Sequence, residues 1–179
     1  MIAEKLTVPE YLEFEKASPE RHEYVDGVLI PMPGASRRHG HIVLNIIETL
    51  RPKARAKGCE LQAVDIKTRT QDRRFRYPDI LVSCAINEDT YVLEQPCLLI
   101  EVTSESTEHT DRGAKVSEYL RIASLECYAI IGQEKPEVTV YYRDQHGWRV
   151  DIFENTGAFL IGCLETKLDL AQIYADVDF

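Results

Sequence analysis

Residues 97–103 read Cys97-Leu98-Leu99-Ile100-Glu101-Val102-Thr103, an apolar run interrupted by one carboxylate. A short run of this kind suits a central strand covered on both faces. Strand alternation sets Ile100 and Val102 on one face and Leu99, Glu101 and Thr103 on the other. An ionised carboxylate in that setting needs a cationic partner, a metal or a raised pKa. Upstream, Pro78-Asp79 opens a second apolar run, Ile80 to Ala85. If the two strands are neighbours, Asp79 and Glu101 converge and make a hard-oxygen site suited to Mg2+ or Mn2+. The plain alternative is a Glu101 at a strand end, paired with an arginine. The residues of these two strands leave both readings open.

Downstream, the pattern predicts a helix from Asp111 to Ile122. Asp111, Lys115 and Tyr119 fall at i, i+4 and i+8 and form one polar stripe. Facing the strand end, that stripe would bring an ammonium to the carboxylates; facing water, it is an ordinary Asp–Lys pair. Cys127 to Ile131 is a third apolar strand. Val138–Tyr142 and Trp148–Phe153 form a hairpin turning at Gln145 to Gly147, and Leu164 to Leu170 is a last short element. Tyr141, Tyr142 and Trp148 read as core or dimer-contact aromatics. Upstream, Val8 to Lys16 is a short helix stopped by Ser18-Pro19. His22 to Ile30 alternates about Asp26-Gly27, a hairpin signal. Ser36 caps a helix from Arg38 to Ala56, with Ile42, Ile46, Ile47 and Leu50 at helical spacing, Pro52 as a kink or early stop, and Gly58 beyond its end. Glu60 to Thr70 alternates as one strand. The order indicates an α/β (α+β) chain, a mixed β-sheet flanked by helices, forming a single domain over residues 1–179.

Composition sets the outer bounds. The 179 residues are 44% hydrophobic and 28% charged, as in an ordinary soluble globular chain. No apolar run approaches the ~20 residues of a membrane span, and residues 1–11 lack the apolar core of a secretion signal. A cytoplasmic location is expected. The net charge of −9 argues against a nucleic-acid partner only as a total. Arg37 to Arg76 holds eleven basic residues and four acids, a local +7, against −16 for the remainder. That block reads as a solvated helix face and hairpin, or as a surface for phosphates. The five cysteines, Cys59, Cys84, Cys97, Cys127 and Cys163, contain no C-x-x-C pair, so free buried thiols are expected and no zinc spacing is evident.

Several of these motifs resemble a known group. Tyr77-Pro78-Asp79-Ile80, then Leu99-Ile100-Glu101-Val102-Thr103-Ser104, then Asp111-x-x-x-Lys115-x-x-x-Tyr119 are similar to the Uma-type putative restriction endonuclease family, within the PD-(D/E)XK nuclease superfamily. Glu23-Tyr24-Val25-Asp26-Gly27 resembles its glutamate-hairpin segment, and His39 with Ile42, Val43 and Asn45 its histidine-helix segment. Leu125 to Ile131 resembles its following strand, although Tyr128 and Ile131 replace the usual Trp and Asp. The ordered set spans roughly Val8 to Tyr142.

The resemblance implies a restriction-endonuclease-like core, with an extra hairpin before it and another after it. It implies a Mg2+- or Mn2+-dependent phosphodiester hydrolase acting on nucleic acid, with DNA as the expected substrate. Asp79 and Glu101 would hold the metal, helped by the main-chain carbonyl of Val102. The superfamily's lysine belongs two residues after the acid, where Thr103 stands, so its role passes to Lys115. Glu23 and His39 would line the site. Arg37, Arg38, Arg73, Arg74 and Arg76 would meet phosphates, and the chain would pair as a homodimer. The rival reading is a non-catalytic binding or assembly module on a degenerate nuclease fold, favoured by Thr103 and the acidic total.

Other chemistries find little support. His39 and His41 are two apart on a helix and point away from each other. His22, His109 and His146 are expected at the surface. Ser104 and Ser106 lack a nucleophile elbow. No Walker motif and no G-x-G-x-x-G occurs, so no nucleotide cofactor is expected.

Overall fold

Thr7 and Glu10 start the first helix, α1 (Val8–Ala17), with a capping box: Glu10 accepts from the Thr7 amide at 2.7 Å while the Thr7 hydroxyl oxygen accepts from the Glu10 amide at 3.4 Å. The computed structural model describes residues 5–32, 34–63, 65–103 and 111–179, without the side chains of 111 and 112. Ser104, Ser106, His109 and the Asp111 side chain therefore lie outside the described residues.

The strands β1 (His22–Val25) and β2 (Val28–Pro31) form the expected hairpin. Its two turn residues take positive φ, Asp26 at 50° and Gly27 at 98°, as a tight two-residue hairpin requires. A Cβ on Gly27 would stand 2.6 Å from the Lys5 Cβ. Gly27→Ala is therefore expected to lower stability by about 1–2 kcal/mol, read as a lower urea midpoint at unchanged slope.

Ser36 caps α2 (Arg37–Ala56), its oxygen accepting from the His39 amide at 3.0 Å. The helix passes through Pro52 and ends before Gly58, which takes φ 69°. It buries Ile42, Val43, Ile46, Leu50 and Ala54 along one stripe.

Glu60 to Thr70 does not make a single strand. It divides into β3 (Glu60–Ala63) and β4 (Thr68–Gln71), which join different sheets. The chain turns between them at Asp65, whose φ of 61° no strand accommodates. There follow β5 (Arg74–Arg76), β6 (Ile80–Ser83) and β7 (Leu98–Thr103). The segment expected to be helical from Asp111 to Ile122 is a π-helical turn, Asp111–Lys115, running into one short α-helix, α3 (Val116–Tyr119). Next come β8 (Cys127–Gly132), β9 (Glu137–Asp144), β10 (Gly147–Glu154), β11 (Ala158–Ile161), β12 (Thr166–Asp169) and α4 (Leu170–Ile173). The final element of the sequence reading is thus the second half of a β11–β12 hairpin.

The main sheet runs β10-β9-β8-β7-β6-β3, parallel only between β7 and β8. A smaller sheet runs β2-β1-β5-β4. This is the expected mixed α+β arrangement. The two faces of β7 separate as alternation requires. Ile80, Val82, Leu98, Ile100 and Val102 pack toward α2, α4 and the β11–β12 hairpin. Leu81, Leu99, Tyr128 and Ile130 pack toward Tyr119, Ile122 and Leu125. Tyr11, Tyr24, Phe75 and Val92 form a third cluster that holds α1 against the small sheet.

Two cysteines depart from expectation. Cys59 and Cys84 form a disulfide with a Cα separation of 4.1 Å. The cause is tertiary: β3 and β6 pair with Glu60 opposite Ser83, so the residues just outside that pair come face to face. Cys97 and Cys127 are buried free thiols, and Cys163 is half-buried.

Candidate active site

The antiparallel β6–β7 pair sets Ile80 opposite Ile100, so Asp79, just before β6, stands beside Glu101, near the end of β7. Asp79 is anchored from two sides. Its Oδ2 accepts from the Val102 amide at 2.7 Å, and its Oδ1 lies 3.1 Å from the His39 Nε2. The Asp79 and His39 side chains keep about a fifth of their surface open to water (21% and 19%). The helix N-terminus capped by Ser36 is what delivers His39 to this point.

Glu101 is 4% exposed. Its Oε1 accepts from the Tyr119 hydroxyl at 2.7 Å and from the Lys115 ammonium at 3.1 Å. Both donors come from the stripe read in the sequence, although a π-helical turn carries Lys115. Lys115 Nζ also lies 3.2 Å from Glu23 Oε1, an ion pair without hydrogen-bond alignment. The other Glu23 oxygen accepts from Arg76 Nη1 at 2.6 Å. Arg76 then grips Glu118 with both arms of its guanidinium, at 2.8 and 2.7 Å. Glu118 accepts further from Arg74 at 2.8 Å and from the Thr70 hydroxyl at 3.3 Å, while Arg74 reaches Asp26 at 2.6 Å. A continuous buried polar chain thus links Glu101, Lys115, Glu23, Arg76 and Glu118 across β7, the π-helical turn, β1, β5 and α3.

The electrostatics follow from burial against pairing. Burial pushes the Tyr119 phenol well above its ordinary range, and the negative charges of Glu101 and Glu23 add to that. Tyr119 therefore stays a proton donor to Glu101 at neutral pH. Burial opposes the charge of Arg76, but hydrogen bonds to Glu118 and the charge of Glu23 more than offset it and raise its pKa. Burial likewise opposes the charge of Glu118, yet Arg76 and Arg74 hold its carboxyl below the ordinary 4.5.

The structure brings Asp79, Glu101, Lys115, Glu23 and His39 to one strand end. Val102 stands between the two acids and engages Asp79 through its amide. Thr103 turns its hydroxyl to the Ile131 carbonyl at 3.4 Å, so the cation near Glu101 comes from Lys115. The basic block behaves differently from expectation. Arg76 is 3% exposed and Arg74 is engaged by two acids, so both serve the interior network. Arg38 pairs with Glu134 at 2.6 Å, and Arg37 and Arg73 remain exposed. His22 is also not a surface residue, since it packs against the Glu15 carboxylate at 3.2 Å with 14% of its side chain exposed. Sequence reasoning missed Glu118. Its place beside Tyr119 carries no mark that separates it from a solvated charge.

The donor set suits a hard divalent cation. Asp79 and Glu101 would supply carboxylate oxygens, and Glu23 Oε1 is a buried carboxylate oxygen with no hydrogen-bond donor.

Comparison with known proteins identifies the family and the fold. The family model described as Uma2, putative restriction endonuclease, matches residues 8–173. The uncharacterized protein slr1290 of Synechocystis sp. is 31% identical over 179 residues, covering 98% of this chain and 94% of its own. A second protein of that organism, the uncharacterized protein sll1609, is 26% identical over 157 residues, covering 85% and 82%. Among solved structures, a putative nuclease belonging to DUF820 from Anabaena variabilis superposes with a TM-score of 0.76 at 18% identity, over 95% of this chain and 98% of that one.

Proposed function

The chain belongs to the Uma2 putative restriction endonuclease family, and from that premise we propose that it is a metal-dependent nuclease hydrolysing phosphodiester bonds, with DNA as its substrate. The observation that carries this reading is the gathering of Asp79, Glu101 and Lys115 at one end of the β6–β7 pair. Asp79 and Glu101 hold Mg2+ or Mn2+, with the Val102 carbonyl as a further ligand. Such an ion, when bound, polarises a phosphoryl oxygen and lowers the pKa of water.

The protein groups do the remainder. His39 and the Val102 amide fix the Asp79 carboxylate from two directions. Tyr119 and Lys115 fix the rotamer of Glu101. The Lys115 ammonium stabilises the charge that develops on the phosphate, and Glu23, 3.2 Å away, helps to aim it. Arg76 and Glu118 brace Glu23 from behind.

Metal titration tests the reading. A native-state ligand at roughly 100 times its Kd stabilises by about 2.7 kcal/mol. A manganese-dependent rise in melting temperature is expected, absent in Asp79→Ala, together with nicking of supercoiled plasmid. No rise and no nicking would leave a non-catalytic module on this fold. With Arg74 and Arg76 turned inward, phosphate contact rests on the other basic groups of the block, Arg37 and Arg73 among them. DNA binding is expected to be weak and to fall with salt at a log–log slope of about −0.9 per phosphate neutralised. Tight metal-free binding at high salt would contradict that.

A further inference from the structure

At the other end of the same two strands lies a second cluster. Cys84 follows β6 and Cys97 precedes β7, while Asp79 and Glu101 stand at the opposite ends. The Cys84 and Cys97 sulfurs are 3.8 Å apart. The sulfurs of Cys84, Cys97 and Cys163 all lie within 4.8 Å of one another. Cys59 is bonded to Cys84 and so shares the place.

We propose that, once the Cys59–Cys84 bond is reduced, Cys59, Cys84, Cys97 and Cys163 form a four-thiolate site for a thiophilic divalent ion such as Zn2+. The spacing supports this. A tetrahedral ion with sulfurs at ~2.3 Å holds its ligand sulfurs about 3.8 Å apart. The Cys84–Cys97 separation already has that value, and the Cys163 sulfur needs at most about an ångström of adjustment to reach the same spacing. Reduction frees the fourth sulfur: a dithiol reductant gives two electrons and two protons to the disulfide and becomes a disulfide itself. Binding then releases the thiol protons to solvent.

The ligands come from four separate places: the α2–β3 corner just before β3, the end of β6, the start of β7, and the 3₁₀ turn Gly162–Leu164. A closed site with four protein ligands is a structural one. It would tie the α2–β3 corner and the β11–β12 hairpin to the central strands. Cys84 is exposed and Cys163 half-exposed, so the ion has an entry path. Sulfur ligands prefer Zn2+, while the carboxylates at the far end prefer Mg2+ or Mn2+, so the two sites select different ions.

Cobalt titration of the full chain tests this, using protein held reduced by a phosphine and stripped of metal by a chelator. One thiolate-bound Co2+ per chain is expected, counted by a sulfur-to-cobalt charge-transfer band and the strong visible absorption of tetrahedral cobalt, both erased by Zn2+. Losing a supporting partner outside the ligand shell already costs 10–100-fold in affinity, so losing a thiolate costs at least about 100-fold. Cys97→Ser and the more exposed Cys163→Ser should both show that loss, while Asp79→Asn leaves the band unchanged. Absence of the band in a chain whose five thiols all react with a thiol reagent overturns the proposal. So does a thiol count that stays at three under reductant, or an unchanged affinity in both serine variants.

Discussion

Asp79→Ala and Glu101→Ala are each expected to abolish magnesium-dependent cleavage of DNA, with activity falling by ~10²–10³-fold or more, in chains that remain folded. The two residues fail for different reasons. Asp79 is part-exposed and held by His39 and the Val102 amide, so its removal deletes a proposed ligand and leaves one strand-end amide without its carboxylate acceptor. Glu101 is buried and gathers Lys115 and Tyr119, so its removal deletes a proposed ligand and also one carboxylate partner of that lysine. Asp79→Asn and Glu101→Gln separate these effects. They keep shape and hydrogen-bonding capacity while withdrawing the charge that a divalent ion needs. Gel assays of plasmid nicking, with circular dichroism as the check on folding, measure the outcome. Cleavage at the wild-type rate by both alanine variants would sink the assignment of the site.

Glu118→Ala is expected to be the most destabilising single change in the network, at about 3–5 kcal/mol. Glu118 is 1% exposed and neutralises Arg76 through both arms of the guanidinium. Without it, Arg76 stays buried with Glu23 as its remaining carboxylate partner among the contacts described, and Arg74 keeps only Asp26. The pH dependence follows from the direction of the Glu118 shift. Its folded-state pKa lies below the ordinary 4.5, so its stabilisation is present above about 4.5 and is lost as the pH falls through the depressed value. Urea midpoints measured from neutral pH downward should show that acid loss in the wild type and a weaker one in Glu118→Gln. An unchanged acid limb would mean that other carboxylates dominate it.

The same network explains why the basic block was only half legible. Arg37 to Arg76 carries a local +7, and a one-dimensional count cannot tell an arginine that faces water from one that faces a buried glutamate. Arg76 lies three residues before Asp79, which made it read as a phosphate contact. The pairing of β5 with β1 turns it instead toward Glu23 and Glu118. The helix after Glu101 was misjudged in length but not in consequence. Lys115 and Tyr119 both reach Glu101, because Lys115 opens α3 in helical conformation and Tyr119 lies one α-helical turn further on, on the same side.

What the sequence determined by itself was the two central strands and the carboxylates on them. Short apolar runs with a single acid have few ways to fold, and period-two alternation assigns each side chain to a face without knowledge of any other element. The hairpin at Asp26-Gly27 and the helix cap at Ser36 were legible for the same reason, since local backbone chemistry decides them. The tertiary structure alone decided which charges meet. Glu118 with Arg76, His39 with Asp79 and Cys59 with Cys84 are each distant in sequence and joined by strand pairing or packing. Such partners are chosen by the cost of leaving a buried polar group unpaired, which only the assembled core imposes.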